Sequence, residues 1–268
     1  MMTVQYGVFA KVPFAAMGTG RPVVVLAGLS PTTGVSGDTM VRLTLGPLAR
    51  LADSRRLVVF NRRPGLPRGM TMSEFASEHA DAIRVGFGDT AVDVVGTSTG
   101  GSIAQQIAAD HPGTVRRLVL ISTACRLGPT GQSLQRTVAT EIRRGSRRRA
   151  LATLAAGLVP PRRGKMLAAA AAFVLARRLI KTEQNLDDMA TTIEAEDAFD
   201  LAQCPTVQAS TLLLAGGEDR FYSPALFEET ARLIPNAQLH VFDKRGHITV
   251  TRDPAFQREI TTFLAASS

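Results

Sequence analysis

The sequence predicts an α/β protein: a mostly parallel central sheet flanked by helices, with an inserted helical cap. Short runs of Val, Ile and Leu alternate with Ala-rich runs of helical periodicity, which is typical of parallel strands joined by helices. Several of the apolar runs are continuous, as in strands buried on both faces. The stretch 126–205 breaks this alternation and contains no convincing strand. We therefore expect residues 1–125 and 206–268 to form the core, and residues 126–205 to form the cap.

The individual elements follow from the same patterns. The predicted strands are Val4 to Phe9, Val12 to Met17, Val23 to Ala27, Leu57 to Asn61, Ala91 to Gly96, Val115 to Ser122, Ser210 to Ala215 and Gln238 to Phe242. The predicted helices of the core are Ser73 to Val85, with Ser73 as N-cap, Thr99 to His111, Pro224 to Leu233 and Pro254 to Ala265. Within the cap, helices are predicted around residues 134–144, 149–156, 165–180 and 186–193.

The charge is concentrated in the cap. The net charge is +8, but residues 126–181 contain thirteen Lys or Arg and one acid, whereas residues 182–205 contain seven acids and no Lys or Arg. We interpret these as two facing surfaces that partly neutralise each other. A nucleic-acid partner is not expected, because no helix-turn-helix, zinc or aromatic ribonucleoprotein pattern accompanies the basic block.

Other classes of protein are also disfavoured. No run of about 18 apolar residues predicts a membrane span, and the N-terminus does not resemble a signal peptide. The two cysteines, Cys125 and Cys204, form neither a disulfide scaffold nor a metal-ligand pattern. The expectation is a cytoplasmic protein without a metal or organic cofactor that acts on a small molecule. The oligomeric state is left open.

The strongest motif is the run from Gly96 to Gly101 (GTSTGG), which lies between a predicted strand and a predicted helix. A sharp strand-to-helix turn exposes the Ser98 hydroxyl, and small residues are needed where the backbone packs closely. The N-terminus of the helix directs free N–H groups at a developing oxyanion. This context predicts a nucleophilic Ser98; the alternative is a serine that only caps the helix.

A nucleophilic serine needs a base, and His247 is the best candidate among four histidines. His79 lies in a helical pattern, His111 ends a helix and His240 alternates within a strand, so these three are interpreted as structural. His247 instead lies in the loop after the last strand, where Gly246 allows a tight turn.

The base in turn needs an acid that orients its ring and stabilises the imidazolium. Asp219 follows the strand Ser210 to Ala215, at the edge where open α/β sheets place their sites. Glu218 is the rival assignment, and Asp243 is a weaker one.

The order Ser98, Asp219, His247 is that of the α/β-hydrolase fold superfamily. The chain resembles this family, in its form with a helical cap, from the strand ending in Ala27-Gly28 through the Gly96 to Gly101 turn to Gly246-His247. The resemblance implies an oxyanion hole made by the backbone N–H groups of Leu29 and Thr99.

Two departures from the family pattern concern the loops beside this site. Ala27 replaces the His that usually precedes Gly28, and this removes a polar group that braces the oxyanion loop. The sequence Asn61-Arg62-Arg63-Pro64-Gly65 matches the common Asp-x-Arg-Gly only in part. Ser98 stands where haloalkane dehalogenases and epoxide hydrolases carry Asp, which argues against both chemistries.

These residues predict a serine hydrolase that works by acyl transfer, with a small apolar carboxylic ester as the expected substrate. The same three residues would also serve a C–C bond hydrolase, a lactonase, an amidase or aminopeptidase, or a cofactor-free perhydrolase. A different class of hypothesis is a catalytically silent ligand-binding protein of the same fold.

Overall fold

The predicted mostly parallel sheet is present. The computed structural model describes residues 3–35, 37–158, 170–171 and 183–266. Eight strands form one sheet in the order β1-β2-β4-β3-β5-β6-β7-β8. The first two pairings, β1 with β2 and β2 with β4, are antiparallel and the others are parallel. The strands are β1 (Gln5–Phe9), β2 (Val12–Met17), β3 (Arg21–Leu26), β4 (Arg55–Phe60), β5 (Val92–Thr97), β6 (Val115–Ile121), β7 (Ser210–Gly216) and β8 (Ala237–Phe242).

Helices cover both faces of the sheet. They are α1 (Asp38–Leu45), α2 (Met72–Phe87), α3 (Thr99–Asp110), α4 (Pro129–Arg143), α5 (Arg147–Leu158), α6 (Glu183–Asp197), α7 (Pro224–Leu233) and α8 (Phe256–Ala265). Four helical segments among the described residues were not predicted: α1 and the 3-10 segments Gly46–Asp53, Leu201–Gln203 and Thr249–Arg252. The predicted N-cap of α2 was wrong, since Thr71 rather than Ser73 caps it, in a reciprocal pair with Glu74.

The continuous apolar runs are explained by burial on both faces. On β3, Val24 and Leu26 belong to the apolar cluster that includes residues of α2, α3 and α7, whereas Val23 and Val25 belong to the cluster that includes residues of α1 and α8. All four side chains are at most 1% exposed. Because successive side chains of a strand point to opposite faces, a strand covered on both sides is apolar throughout.

In the described part of the chain, the helices α4, α5 and α6 lie between β6 and β7 and are called the helical insertion below. They share an apolar cluster of their own, which includes Val138, Ile142, Leu186 and Ile193. The helix predicted over residues 165–180 lies almost wholly outside the described residues, and the boundaries 126 and 205 remain a prediction. In the described part of the chain, no helix is both long and apolar enough to cross a membrane.

The basic and acidic blocks of the sequence meet at the surface of the helical insertion. Four acids of residues 182–205 contact arginines of the preceding basic block, at distances of 2.7 to 3.8 Å. The pairs are Arg126 with Asp200, Arg136 with Asp197, and Arg143 with Asp187 and Glu194. Such pairs at the surface contribute only about 0–1 kcal/mol each, so they concern local docking more than overall stability.

Asp188 of the same acidic block points into the protein. Its carboxylate is fully buried and accepts hydrogen bonds from the backbone N–H groups of Gly65 (3.1 Å) and Leu66 (2.8 Å), and from the Thr33 hydroxyl (3.3 Å). The buried Arg62 guanidinium lies nearby; burial lowers its pKa to about 10, and the charge of Asp188 opposes that shift. Asp188 therefore joins α6 to the loop after β4 by buried hydrogen bonds, and its charge acts on the buried Arg62 of the same loop.

We predict that Asp188→Asn lowers the free energy of unfolding by about 3–5 kcal/mol, because it leaves the Arg62 charge buried without a compensating carboxylate. Asp187→Asn is the matched control: its side chain is 50% exposed and lies one position earlier on α6. Its loss should stay below about 1 kcal/mol. Urea unfolding of the three proteins measures both values, and equal effects at the two positions would contradict the prediction.

Candidate active site

Ser98 lies at the turn between β5 and α3, in a backbone conformation that non-glycine residues rarely adopt (φ 51°, ψ −127°). Its side chain makes no capping hydrogen bond to the helix, so the structural alternative of a simple helix cap does not describe this residue. Such backbone strain costs about 1–3 kcal/mol and persists only where the surroundings enforce it. The turn holds the hydroxyl at the end of the sheet.

The glycines around Ser98 allow this turn to pack against its neighbours. A Cβ at Gly100 would lie 2.3 Å from the carbonyl oxygen of Leu26 and 2.6 Å from that of Ala27. A Cβ at Gly96 would lie 2.6 Å from the carbonyl oxygen of Gly100. The motif thus contains glycine where α3 approaches the loop after β3 too closely for any side chain.

Ser98, His247 and Asp219 form one chain of hydrogen bonds. The His247 Nε2 lies 3.0 Å from the Ser98 Oγ, and its Nδ1 lies 2.8 Å from the Asp219 Oδ2. The other carboxylate oxygen of Asp219 accepts from the backbone N–H groups of Phe221 (2.8 Å) and Tyr222 (3.3 Å). Two loops, after β7 and after β8, thereby bring the acid and the imidazole to the serine.

The His247 ring is held on further sides. The backbone carbonyl oxygen of His247 accepts a hydrogen bond from the Ser122 hydroxyl at 2.7 Å. The Phe221 ring lies against the imidazole, with 4.6 Å between the two ring centroids. Among the described residues, neither Glu218 nor Asp243 contacts the imidazole by a hydrogen bond. The His247 Nδ1 is therefore hydrogen-bonded to Asp219 and to neither rival, and the role of Asp219 as the orienting acid stays a prediction.

The other three histidines lie elsewhere. The His79 ring is buried against Phe60 and its Nδ1 is 2.8 Å from the carbonyl oxygen of Phe75. The Nε2 atoms of His111 and His240 lie near Ser77 (3.2 Å) and Glu259 (3.5 Å). The structural interpretation of these residues agrees with these contacts.

A cavity of about 310 Å³ opens beside Ser98. The described residues that line it carry no Lys, Arg, Asp or Glu, and most are apolar: Ala27, Gly28, Leu29, Thr44, Pro47, Leu48, Thr97, Ser98, Ile121, Gln135, Leu154, Leu158, Phe221, His247, Ile248 and Thr251. Gln135, Leu154 and Leu158 come from the helical insertion, so the insertion and the sheet share this cavity.

Of the two residues predicted to supply the amides of an oxyanion hole, one lines this cavity and the other directly follows Ser98 in the chain. Leu29 lines the cavity, and in the described part of the chain its N–H donates to no backbone carbonyl. Thr99 opens α3, where the first N–H groups have no acceptor within the helix.

The loop after β3 is braced by residues whose role the sequence did not reveal. The Asn61 amide donates to the carbonyl oxygens of Thr32 (3.2 Å) and Gly34 (2.8 Å), and the Arg62 guanidinium donates to that of Ser30. These bonds hold the loop from the side of β4. In the sequence, the partial match of residues 61–65 to Asp-x-Arg-Gly was the one feature that pointed to this bracing role.

Glu196 is the polar residue of the site that sequence reasoning missed. It lies on α6, is 1% exposed, and accepts hydrogen bonds from the hydroxyls of Thr99 (2.7 Å) and Ser102 (2.9 Å), the Gln135 amide (3.0 Å) and the Tyr222 hydroxyl (3.3 Å). Burial raises the pKa of this carboxyl, and the four hydrogen bonds oppose that shift. In the sequence, Glu196 is one of seven acids in residues 182–205, a block that was interpreted as part of the protein surface.

No group of three or more His, Cys, Asp or Glu that could hold a metal ion occurs among the described residues.

Comparisons with known proteins agree with this fold. Residues 21–258 match the sequence profile of the alpha/beta hydrolase family. The chain is 30% identical over 262 residues to a polyketide synthase, ThaQ, of Burkholderia thailandensis, covering 92% of the chain and 12% of the synthase. It is 32% identical over 211 residues to the 2-hydroxymuconate semialdehyde hydrolase of Pseudomonas putida, covering 70% of the chain and 67% of that hydrolase.

A solved structure extends the likeness over almost the whole chain. The alpha/beta hydrolase MGS-M2, from a Medee basin deep-sea metagenome library, superimposes with a TM-score of 0.79 at 16% identity and covers 98% of both chains. Because the identity is only 16%, this superposition shows a shared fold and carries no information about activity.

The raised pKa of Glu196 predicts a pH-dependent stability difference. Because the folded state binds this proton more tightly than the unfolded state, the contribution of Glu196 to stability is fully present at low pH and is lost as pH rises through the folded-state pKa. We expect the wild-type protein to lose stability relative to Glu196→Gln as pH rises above about 4. Urea unfolding of both proteins at a series of pH values measures this. A difference that stays constant, or that grows in favour of the wild type, contradicts the prediction.

Proposed function

The chain belongs to the alpha/beta hydrolase family, and we propose that it is a serine hydrolase that cleaves a small, uncharged carboxylic ester by acyl transfer. The observation that carries this proposal is the hydrogen-bonded chain from Ser98 through His247 to Asp219, at the edge of a largely apolar cavity. A serine hydroxyl is a weak nucleophile unless an adjacent base takes its proton, and this chain supplies that base.

In the proposed reaction, the Ser98 Oγ attacks the ester carbonyl carbon while the His247 Nε2 takes the hydroxyl proton. Asp219 accepts the hydrogen bond of the Nδ1–H, which fixes the ring orientation and stabilises the imidazolium. The N–H groups of Leu29 and Thr99 stabilise the oxyanion. The tetrahedral intermediate collapses when the C–O bond of the alcohol breaks, and His247 returns the proton to that alcohol.

The second half of the proposed reaction repeats these roles with water. His247 takes a proton from a water molecule, whose oxygen attacks the acyl carbon bound to Ser98. The second tetrahedral intermediate releases the carboxylic acid, and the proton passes from His247 to the Ser98 oxygen.

An uncharged substrate is favoured by the lining of the cavity. A bound carboxylate would need a cation or several donors to compensate for its lost hydration, and the described lining residues include no Lys or Arg. The arginines of the basic block that are described with partners pair with surface acids instead.

A second candidate reaction is cleavage of a carbon–carbon bond. The 32% identity to the 2-hydroxymuconate semialdehyde hydrolase supports it. The substrate in that hydrolase's name is a carboxylate, for which the described lining residues offer no cation. We therefore place the ester first.

We predict that Ser98→Ala abolishes covalent labelling by a fluorophosphonate and lowers kcat/KM on p-nitrophenyl butyrate by at least about 10³-fold. Asp219→Asn should also remove most activity, because the amide favours the wrong tautomer of His247. Circular dichroism checks that both variants remain folded.

Glu218→Gln is the matched control for Asp219→Asn, since Glu218 is the adjacent acid of the same loop. It should keep most activity. If Glu218→Gln were the more damaging change, the assignment of the acid would be wrong; persistent labelling of Ser98→Ala would remove Ser98 from its role. A wild-type protein that is not labelled at all would indicate the catalytically silent alternative.

The charge of the substrate is tested with two isosteric esters, one neutral and one carrying a carboxylate. We expect the neutral ester to be hydrolysed at least as well as the anion, and its rate to vary little with salt, because a neutral molecule is not steered by surface charge. The measurement is kcat/KM at low and high ionic strength. A strong preference for the anion that disappears at high salt would show that the basic block guides an acidic substrate.

A further inference from the structure

The carboxylate of Glu196 contacts two separate parts of the candidate active site. Its Oε2 accepts from the Thr99 hydroxyl at 2.7 Å, and Thr99 directly follows Ser98 in the chain. Its Oε1 accepts from the Tyr222 hydroxyl at 3.3 Å, and Tyr222 lies in the loop after β7 that carries Asp219. One side chain of α6 therefore joins the turn of the nucleophile to the loop of the acid.

The Glu196 carboxylate is a fixed link rather than a mobile surface group. Each of its two oxygens accepts a second hydrogen bond, one from the Ser102 hydroxyl at 2.9 Å and one from the Gln135 amide at 3.0 Å. Glu196 and its four donors are all buried, at 1–3% exposure, so little water competes for these bonds. A buried carboxylate with two donors on each oxygen has little freedom to move.

Tyr222 extends the link to the acid and the base. Its backbone N–H donates to the Asp219 carboxylate at 3.3 Å, and its ring lies nearly parallel to the His247 imidazole, with 6.0 Å between the centroids. The hydroxyl end of the same side chain is the end that Glu196 binds. Removing that bond frees the end of a side chain that lies beside the pair of acid and base, so we expect the pair to lose part of its fixed geometry.

Thr99 extends the link to the nucleophile. Ser98, the residue before it, has a strained backbone (φ 51°), and such strain persists only where the surroundings enforce it. The hydrogen bond from the Thr99 hydroxyl to Glu196 restrains this turn from outside the strand and the helix that it joins. The backbone N–H of Thr99 is also one of the two oxyanion donors in the proposed reaction.

We propose that Glu196 is a positioning residue: its carboxylate keeps the turn that carries Ser98 and the loop that carries Asp219 in a fixed relative position. This inference rests on the proposed function in assigning those two residues to one reaction. Such a role affects the rate because a displacement of about 1 Å between reacting groups costs about 10²-fold. If Glu196 only fastened the helical insertion to the core, its bonds would affect stability but not the geometry of the reacting groups.

The first test removes the partners of Glu196 one at a time. Thr99→Val and Tyr222→Phe each delete one hydroxyl and keep the backbone N–H. Ser102→Ala is the matched control, because it deletes a third hydroxyl bound to the same carboxylate, on a residue to which the proposed reaction assigns no group. We expect kcat on p-nitrophenyl butyrate to fall about tenfold in the first two variants with little change in KM, and less than about threefold in the control. Urea unfolding measures the loss of stability in each variant.

The second test changes Glu196 itself. Glu196→Gln keeps an acceptor and adds a donor that hydroxyl oxygens can accept, so it should retain kcat within about threefold. Glu196→Met has a similar length but only a weak acceptor, and kcat should fall about tenfold or more. Should Glu196→Met fail to fold, the three partner variants still decide the question.

A third measurement does not need turnover. The nitrogen NMR shifts of the His247 imidazole report the hydrogen bonds of its two ring nitrogens in the resting protein. We expect these shifts to change in Tyr222→Phe and in Glu196→Met, and to stay as in the wild type in Ser102→Ala. A uniform loss of stability would not produce this difference between variants.

The outcomes separate this inference from the proposed function. A loss of kcat that follows the loss of stability equally in Thr99→Val, Tyr222→Phe and Ser102→Ala would overturn the positioning role and leave the ester hydrolase in place, as would an unchanged kcat in Glu196→Met. A wild-type protein that hydrolyses no ester would overturn the ester hydrolase, and the imidazole shifts would then decide. Shifts that change in Tyr222→Phe but not in Ser102→Ala support the positioning role, and any other pattern contradicts it.

Discussion

The close approach of α3 to the loop after β3 is the constraint on which the site depends. Gly100 brings the start of the helix against the carbonyl groups of Leu26 and Ala27, and this contact forces the chain to reverse at Ser98. The strained backbone at Ser98 persists because β5 and α3 are both buried in the core and leave no room to relax. This contact consequently positions the loop that carries Leu29 relative to the turn that carries Ser98.

The second level of organisation is the attachment of the helical insertion. Two buried acids of α6 reach the core at different places, Asp188 at the loop after β4 and Glu196 at the start of α3. The remaining acids with described contacts pair with arginines at the surface. One helix thus carries two kinds of carboxylate, and only the buried kind connects the insertion to the residues around Ser98.

Much of this was predictable because it depends on local patterns. The central parallel strands β3 to β7 are mostly buried on both faces, so their apolar runs mark them within two residues of their observed bounds. The three residues joined by hydrogen bonds follow strands or form a strand-to-helix turn, and turn chemistry is visible in glycines such as Gly96 and Gly246.

What the sequence did not reveal depends on long-range contacts. Helix α1 follows a loop rich in Gly, Ser and Thr and is short, so its pattern was weak. Glu196 and Asp188 differ from neighbouring acids only in the direction that α6 turns them, and that direction is set by packing against residues more than 60 positions away. Ala27 suggested a loop without a polar brace, whereas Asn61 and Arg62 provide one from the loop after β4.

The buried contacts of α6 also affect how this scaffold can be re-engineered. Exchanging helical insertions between related proteins is an attractive route to new substrate ranges, and it assumes that the insertion is a separable module. Here the donor sequence would have to supply carboxylates that match Arg62, Thr99 and Ser102, or the exchange would leave polar groups of the core without partners. A successful chimera therefore has to transplant α6 together with its contact residues in the core, and the boundary of the exchangeable unit runs through the core rather than around the insertion.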